Sequence, residues 1–371
     1  MLEAILGYEA AEDLGCPCSA ARCSSTAADI HCCYCFYRRM LCRHCAVKIH
    51  FDNAFHQVED WVGTYFKRRG LQELGLVIRL GHGGDTCHFA KEPVSMTVTH
   101  VNGIHTCNVQ FCGCFPPDKY NPVDVPLQLA NAGLWPASYK NPRTATTFHA
   151  AWEYNQFFLQ AKVNVMDYNR VKLCITNNAF RDDVPVTSQD QYRQLLTSQR
   201  QFMFIQTLKQ FGASVQDRYA AGSLVVLCPA CPQPGKNMDP GWKDVPAKDQ
   251  YVHALFYAKD GNFQLHQHMK KMDLDDVAFT RGGGYYVDDV EGSNFLKIMD
   301  NDPESSKETS TCNKFFAING KRLDGKRITG VVSLVCAPHG MIMGSSTVDL
   351  TKGERYILSS LHLFCEPHLL S

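Results

Sequence analysis

The rhythm of apolar and polar residues changes several times along this chain of 371 residues. Leu74 to Leu80 is a short apolar segment that reads as a strand. Val94 to Thr99 (VSMTVT) alternates, which is the period of a half-buried strand. Gly103 breaks the run that follows, and His105 to Cys114 (HTCNVQFCGC) reads as a second strand. Phe115 to Pro142 is rich in proline and turn residues (PPDKYNP, GLWPASYKNP) and reads as a linker wrapped on the surface. Helical spacing resumes near Thr144. Phe148, Trp152, Leu159 and Val163 fall close to one helical face and are expected to pack in the core. A further helix is predicted over 190–211, with Tyr192, Leu195, Leu196, Phe202, Ile205 and Leu208 apolar and Gly212 as its stop. The chain then switches to strands at Gly222 to Leu227 (GSLVVL), Tyr251 to Leu265 and Ile328 to Cys336. A polar, Gly-rich insert from His266 to about Ser310 interrupts them. Its RGGGYY glycines lack the context of a phosphate-binding loop.

Cysteine changes the picture most. Eight of the 18 cysteines fall in the first 45 residues. Cys32-x2-Cys35 and Cys42-x2-Cys45 are followed by His50 and His56, with Cys16, Cys18 and Cys23 upstream. Paired Cys-x-x-Cys knuckles with spaced histidines suit zinc, which takes four thiolate or imidazole ligands on a tetrahedron. Cys23 with Cys18 or Cys16 would complete eight ligands for two ions. The order resembles the B-box and similar cross-brace modules. That resemblance implies that the upstream pair shares an ion with Cys42 and Cys45, and that Cys32 and Cys35 share one with His50 and His56. Further on, Cys87, Cys112 and Cys114, with His82, His88 or His105, form a candidate third site. Cys228-Pro-Ala-Cys231 is a further knuckle, with Cys312, Cys336 and His339 as candidate partners. Met1 to Gly15 carries early acids and no long apolar core, unlike a secretory signal, so disulfides are not expected.

Charge narrows the partners. Lys plus Arg equals Asp plus Glu at 37 each, so no global basic field exists to hold nucleic acid, and any such contact must be local. Arg38, Arg39, Arg43, Lys67, Arg68 and Arg69 are the candidate DNA-binding residues. No run approaches the roughly 18 apolar residues that span a bilayer, so no membrane partner is expected.

The strings CPACPQPGKNM, ALFYAKDGNFQL, TCNKF, ITGVVSLVCAPHG and VDLTKGERY, in that order, resemble the KDZ (Kyakuja-Dileera-Zisupton) transposase family. Upstream, HQVEDWVGTYFKRRGLQELGLVIRLGH, NGIH, FCGC and GLWPASYKNPRTATTF are similar to the CxC-type cysteine cluster (type 2) associated with those transposases. The resemblance implies a DNA transposase whose core is similar to RNase H, with three acids holding Mg²⁺ or Mn²⁺, DNA as partner and a nuclear location. It places the first acid at Asp260. Glu354 and Asp349 are not expected to substitute for the other two, and Ile357 to Ser371 does not look like the family's continuation. The core is therefore expected to be truncated and inactive.

The expected architecture is α+β and multidomain: a zinc cross-brace module over 1–62, a β-rich cysteine-cluster segment over 63–142, a helical connector over 143–220 and an incomplete RNase H-like mixed sheet over 221–371. The competing expectation is a B-box-like, zinc-dependent adaptor that binds proteins and never touches DNA.

Overall fold

The computed structural model describes residues 1–10, 14–114, 124–178, 188–216, 218–262, 264–269, 277–300 and 325–350. The chain divides into two compact units, residues 1–203 and 204–371. Both mix helices with small sheets, so the class is α+β.

The first unit opens with α1 (Leu2–Glu9). A three-stranded antiparallel sheet follows, formed by β1 (Ile30–Cys32), β2 (Gln57–Trp61) and β3 (Phe66–Gly70), with α2 (Arg43–Ile49) inserted after β1. Its core is thin: Ala28, Ile30, Met40, Leu41, Ala46, Val58, Leu71 and Leu74 pack around buried cysteines. A core this small does not ordinarily hold a fold without a cross-link or a metal. The sheet runs past residue 62, because β3 pairs along the whole of β2.

A five-stranded sheet follows, in the order β4-β6-β5-β8-β7. Its members are β4 (Val77–Arg79), β5 (Val94–His100), β6 (Gly103–Gln110), β7 (Leu134–Pro136) and β8 (Thr144–Thr147), with α3 (Val125–Asn131) before β7. The alternation read in the sequence is the pleat of the β5–β6 hairpin, which buries Met96, Val98, Cys107 and Val109. Gly103 does not end the run; at φ 134° it opens β6. A Cβ there would lie 2.8 Å from the Thr176 hydroxyl.

The expected surface linker is largely structural. Within 124–142, α3 and β7 bring Leu129 and Leu134 into the core. Pro126 sits in the first turn of α3, where its missing N–H is not needed. Pro136 lies on the edge strand β7, where the ladder tolerates it. The boundary expected at 142 falls inside this sheet, since β8 pairs with both β5 and β7.

Three helices pack on this layer: α4 (Phe148–Ala161), α5 (Val165–Thr176) and α6 (Ser188–Gln210). Thr147 caps α4 through its hydroxyl, which accepts from the Ala150 N–H at 3.2 Å. The apolar stripe expected in the core is mostly outside. Trp152 is 45% and Leu159 59% exposed, whereas Ala150, Ala151 and Tyr154 are buried. Small residues face inward because the space is filled by a polar cluster. Lys172, 2% exposed, donates to Glu153 Oε2 and to the Val101 carbonyl, each at 2.5 Å. The Tyr168 hydroxyl donates to the same carboxylate oxygen at 2.6 Å. α6 ends near Gly212, which has φ 63°, and the division between the units at 203/204 falls within this helix.

In the second unit, β9 (Tyr257–Asn262), β12 (Gly330–Cys336) and β13 (Val348–Leu350) form an antiparallel sheet in the order β13-β12-β9. β10 (Gln267–His268) and β11 (Lys326–Ile328) form a two-stranded ladder. α7 (Asp289–Asp300) occupies part of the expected polar insert. The core is Val332, Leu334, Met343, Val348 and Leu350. The strand expected at 222–227 is absent. The Gly222 and Leu224 N–H groups instead donate to the Gly282 and Gly283 carbonyls at 3.0 and 2.8 Å. The RGGGYY glycines are thus packing positions: a Cβ on Gly283 would lie 2.6 Å from the Tyr219 Cβ.

The buried Lys172 sets a test. Glu153→Ala leaves its ammonium without a carboxylate and should destabilise the first unit by about 3 kcal/mol. Lys172→Met, which removes the charge and keeps the bulk, should cost clearly less. Urea unfolding of both variants checks the order.

Candidate metal centres and basic surface

α2 is a strut between the first two candidate centres. Cys42 precedes it and Cys45 lies in its first turn, while His50 follows its last residue. Cys42 and Cys45 meet Cys18 and Cys23, and His50 and His56 meet Cys32 and Cys35. In both sets the four donor atoms lie within 4.8 Å of one another. This is the alternate pairing that the cross-brace resemblance implies. The four-residue spacer between Cys18 and Cys23 closes as a turn, with the Cys23 N–H donating to the Ala20 carbonyl at 3.2 Å and Arg22 left-handed at φ 62°. Cys16 is exposed and outside the group, and Cys33 is also left out.

The third set is His82, Cys87, Cys112 and Cys114. It joins the Gly-rich turn after β4 to the end of β6. His88 is exposed and not in it. His105 Nε2–H instead donates to the Asn102 amide oxygen at 2.8 Å. The residue between the two cysteines must be glycine, because a Cβ on Gly113 would stand 2.2 Å from the Phe89 carbonyl oxygen. The fourth set is Cys228, Cys231, Cys336 and His339. It fastens a knuckle to the end of the central strand β12. Asn237 braces that knuckle by donating to the Cys231 and Pro229 carbonyls at 2.8 and 3.1 Å. Cys312 lies outside the described residues.

The spacings suit tetrahedral zinc. Zn–S and Zn–N bonds of roughly 2.3 and 2.05 Å put neighbouring sulfurs about 3.8 Å apart and sulfur about 3.6 Å from nitrogen. The structure has Cys23–Cys42 at 3.9 Å, Cys87–Cys112 at 3.6 Å and Cys228–Cys336 at 3.7 Å. Cys32–His56 and Cys35–His50 are each 3.4 Å. Cys231–Cys336, at 2.9 Å, is tighter than such a tetrahedron. The His50 Nδ1 meets the Ala46 carbonyl at 2.7 Å, which turns Nε2 toward the sulfurs. Backbone N–H groups of Cys42 and Tyr34 donate to Cys18 and Cys32 sulfurs at 3.3 and 3.4 Å.

The acidities agree with this donor chemistry. The Cys45 N–H lowers the Cys42 thiol to about 7, while hydrogen bonding with the Cys23 sulfur pushes Cys45 up to about 12. The Gly113 N–H lowers Cys87 to about 6, and hydrogen bonding with Cys87 raises Cys114 to about 12. Sulfurs packed this closely can all be thiolates only around a shared cation.

The candidate basic residues divide in two. Arg38 donates to Glu59 at 2.9 Å, Arg69 pairs with Asp60 at 2.7 Å and Glu73 at 3.1 Å, and Arg43 donates to the Glu73 carbonyl at 2.6 Å. These three hold the fold together. Arg39 and Lys67 are exposed without a carboxylate partner among the described residues, and Arg68 reaches only the Thr176 carbonyl, at 3.4 Å. The sequence gives no sign of this division, because it depends on tertiary partners.

Asp260 lies on β9 opposite Ser333 and is exposed. Asp349 belongs to β13, opposite Val331, and is not in a turn after it. Val331 and Ser333 share a face, so both acids do too. They flank opposite sides of β12, however, about 10 Å apart across the strands and offset by two residues. Burial raises the Asp349 pKa, with Arg327 opposing and Asp289 adding to the rise. Among the described residues, no group of three potential ligands includes Asp260. Glu354 lies outside the described residues.

Residues 71–180 match the CxC2-like cysteine cluster associated with KDZ transposases. Residues 253–366 match the Kyakuja-Dileera-Zisupton transposase, so the family pattern runs on past Ile357, where it was not expected to continue. The two matches, in this order, support placing the chain with the KDZ transposases. No curated protein and no solved structure matches it. The CxC2 match contains the whole third set of donors and takes in α4 and α5. The KDZ match contains Cys336 and His339 but begins after Cys228 and Cys231. Both sets braced by α2 precede the CxC2 match.

Two substitution pairs test the centres. Cys42→Ser should remove one metal equivalent and much of the stability around α2, whereas Cys33→Ser should leave both intact; elemental analysis of purified chains reads the difference. Gly113→Ala should cost one metal equivalent through backbone clash alone, with all sixteen donors still present. Gly133→Ala, at a position with open space and φ 75°, is its control and should retain metal.

Proposed function

We propose that this KDZ-family chain is a zinc-stabilised DNA-binding protein of transposase type that acts in the nucleus. The observation that carries the zinc reading is the tetrahedral spacing of four separate Cys/His sets. Cys18, Cys23, Cys42 and Cys45 would hold one ion, and Cys32, Cys35, His50 and His56 a second. His82, Cys87, Cys112 and Cys114 would hold a third, and Cys228, Cys231, Cys336 and His339 a fourth. Zinc here supplies folding free energy and no chemistry. DNA contact is assigned to Arg39, Lys67 and Arg68, whose charges are not spent on internal carboxylates. Family membership supports DNA as the polymer.

The antiparallel order β13-β12-β9, with Asp260 on the outer strand, supports an RNase H-like reading of the sheet. Two-metal phosphoryl transfer needs carboxylates that converge on ions about 3.5–4 Å apart. Asp260 and Asp349 do not converge, so the described residues do not fit a Mg²⁺ or Mn²⁺ pair. The protein is accordingly read as a binder that does not cut DNA by itself.

Purified chain should carry about four zinc ions by this reading and should unfold on chelation. DNA affinity should fall steeply with salt, and replacing Arg39, Lys67 and Arg68 together by Ala should flatten the log–log slope by up to about 3. Zinc-loaded chain that ignores DNA at low salt but captures protein from nuclease-treated extract would favour the adaptor reading. Strand cleavage in Mg²⁺ or Mn²⁺ that disappears in Asp260→Ala would overturn the non-catalytic one.

A further inference from the structure

The loop between Cys35 and Cys42 displays two aromatic rings that contribute nothing to a core. Phe36 is 89% and Tyr37 80% exposed. Their centroids are 6.1 Å apart with the planes inclined by 54°. Tyr37 and Arg38 are consecutive left-handed residues, at φ 68° and 43°. Neither is glycine, so each stands in a conformation that costs roughly 1–2 kcal/mol. The surroundings hold it in place. Met40 and Leu41 are buried, and Leu41 bridges to Ile30. Arg38 is tied to Glu59 at 2.9 Å and to the Tyr8 carbonyl at 3.3 Å. Candidate metal ligands close both ends of the loop.

We propose that Phe36 and Tyr37 form a stacking finger for the unpaired bases of single-stranded DNA, with Arg39 and Arg68 taking the adjacent phosphates. The proposal rests on the DNA-binding reading above and adds to it the strand state of the DNA. Rings held on a stiff loop present π-faces at little entropic cost. Base–aromatic stacking contributes about 1–3 kcal/mol per base and tolerates any sequence. Bases inside a duplex have no free face, so a finger of this kind selects unpaired strands. The charge around it suits an anionic polymer. Arg39, two residues beyond Tyr37, is exposed and has no carboxylate partner among the described residues. Arg38 engages the Glu59 carboxylate at 2.9 Å. Arg68 stands directly across from Glu59 on the neighbouring strand, on the same face. Glu59 and Arg68 also line a groove of about 690 Å³ with Phe66, Arg69, Glu73 and Thr176.

The test uses full-length, zinc-loaded chain with fluorescein-labelled oligothymidylate and a duplex of equal length. Changing Phe36 and Tyr37 together to Ala should raise the Kd for the single strand at least about tenfold. Duplex affinity should change less than about twofold, and zinc content should not change. A second variant does not depend on loss: Tyr37→Trp should bind the single strand at least as tightly, and its indole emission should be quenched on binding. Single-strand binding that is indifferent to ring removal, while the duplex still binds, overturns the finger and leaves the DNA reading standing. Failure of both DNAs to bind at low salt overturns both readings. Loss of a protein partner in the double-Ala variant, with both DNA affinities unchanged, makes the loop a protein-docking surface and overturns the proposal.

Discussion

Sulfur crowding is the constraint on which the first unit depends. Cys18, Cys23, Cys42 and Cys45 converge where another protein of this size would place leucines. The residues around them are few and small. Apolar burial at about 25 cal/mol per Å² does not, in a core this thin, offset the ordering of sixty residues or so. The geometry suits four donors that share one cation. Backbone N–H groups aimed at Cys18 and Cys32 set up that arrangement from the protein side.

The same device recurs where the chain must bring distant segments together. His82 and Cys87 meet Cys112 and Cys114 across the β4–β6 edge, and Cys228 and Cys231 meet Cys336 and His339 at the end of β12. The rest of the first unit is built differently, from a regular five-stranded sheet and helices around an ionic cluster at Lys172. The molecule thus alternates donor-fastened and hydrophobically packed stretches. The basic side chains follow the same division of labour. Arg38, Arg43 and Arg69 brace the first small sheet, and Arg39, Lys67 and Arg68 are left to the surface.

Much of this was readable in the residues, for local reasons. Knuckle spacing is set within a few residues, so the donors around α2 were legible, while their division into two sets came from the cross-brace resemblance. The alternation of β5 and β6 and the apolar run of β12 likewise mark strands. What could not be read depended on partners far away. α5 falls within the helical connector expected over 143–220, but its bounds were not legible because its inner face carries Asn169 and Lys172, which break the apolar period. α4 misled in the opposite sense: its inner face carries Ala150 and Ala151 beside the Lys172 cluster, and its large residues face out. α3 and β7 hid among prolines that happen to sit at tolerant positions. The choice of His82 over His88 or His105 follows from the turn at Gly83 and Gly84, where positive φ swings the chain back toward β6. Family resemblance covered the CxC2 and KDZ stretches, but it did not place Asp349 on a strand.

The donor sets also differ in reach. Around α2 the donors of one set are at most 27 residues apart, as between Cys18 and Cys45. In the fourth set, Cys231 and Cys336 are separated by 105 residues. Loop closure over the shorter distance is fast and entropically light, whereas non-local contacts form late. On the ribosome the first two sets can therefore close as soon as His56 emerges, while the Cys228 knuckle waits, its thiols exposed, until His339 has been synthesised. That interval is when the second unit is most open to oxidation or to capture of the wrong partner. Synthesis speed through 232–336 becomes a determinant of how much correctly assembled protein the cell obtains.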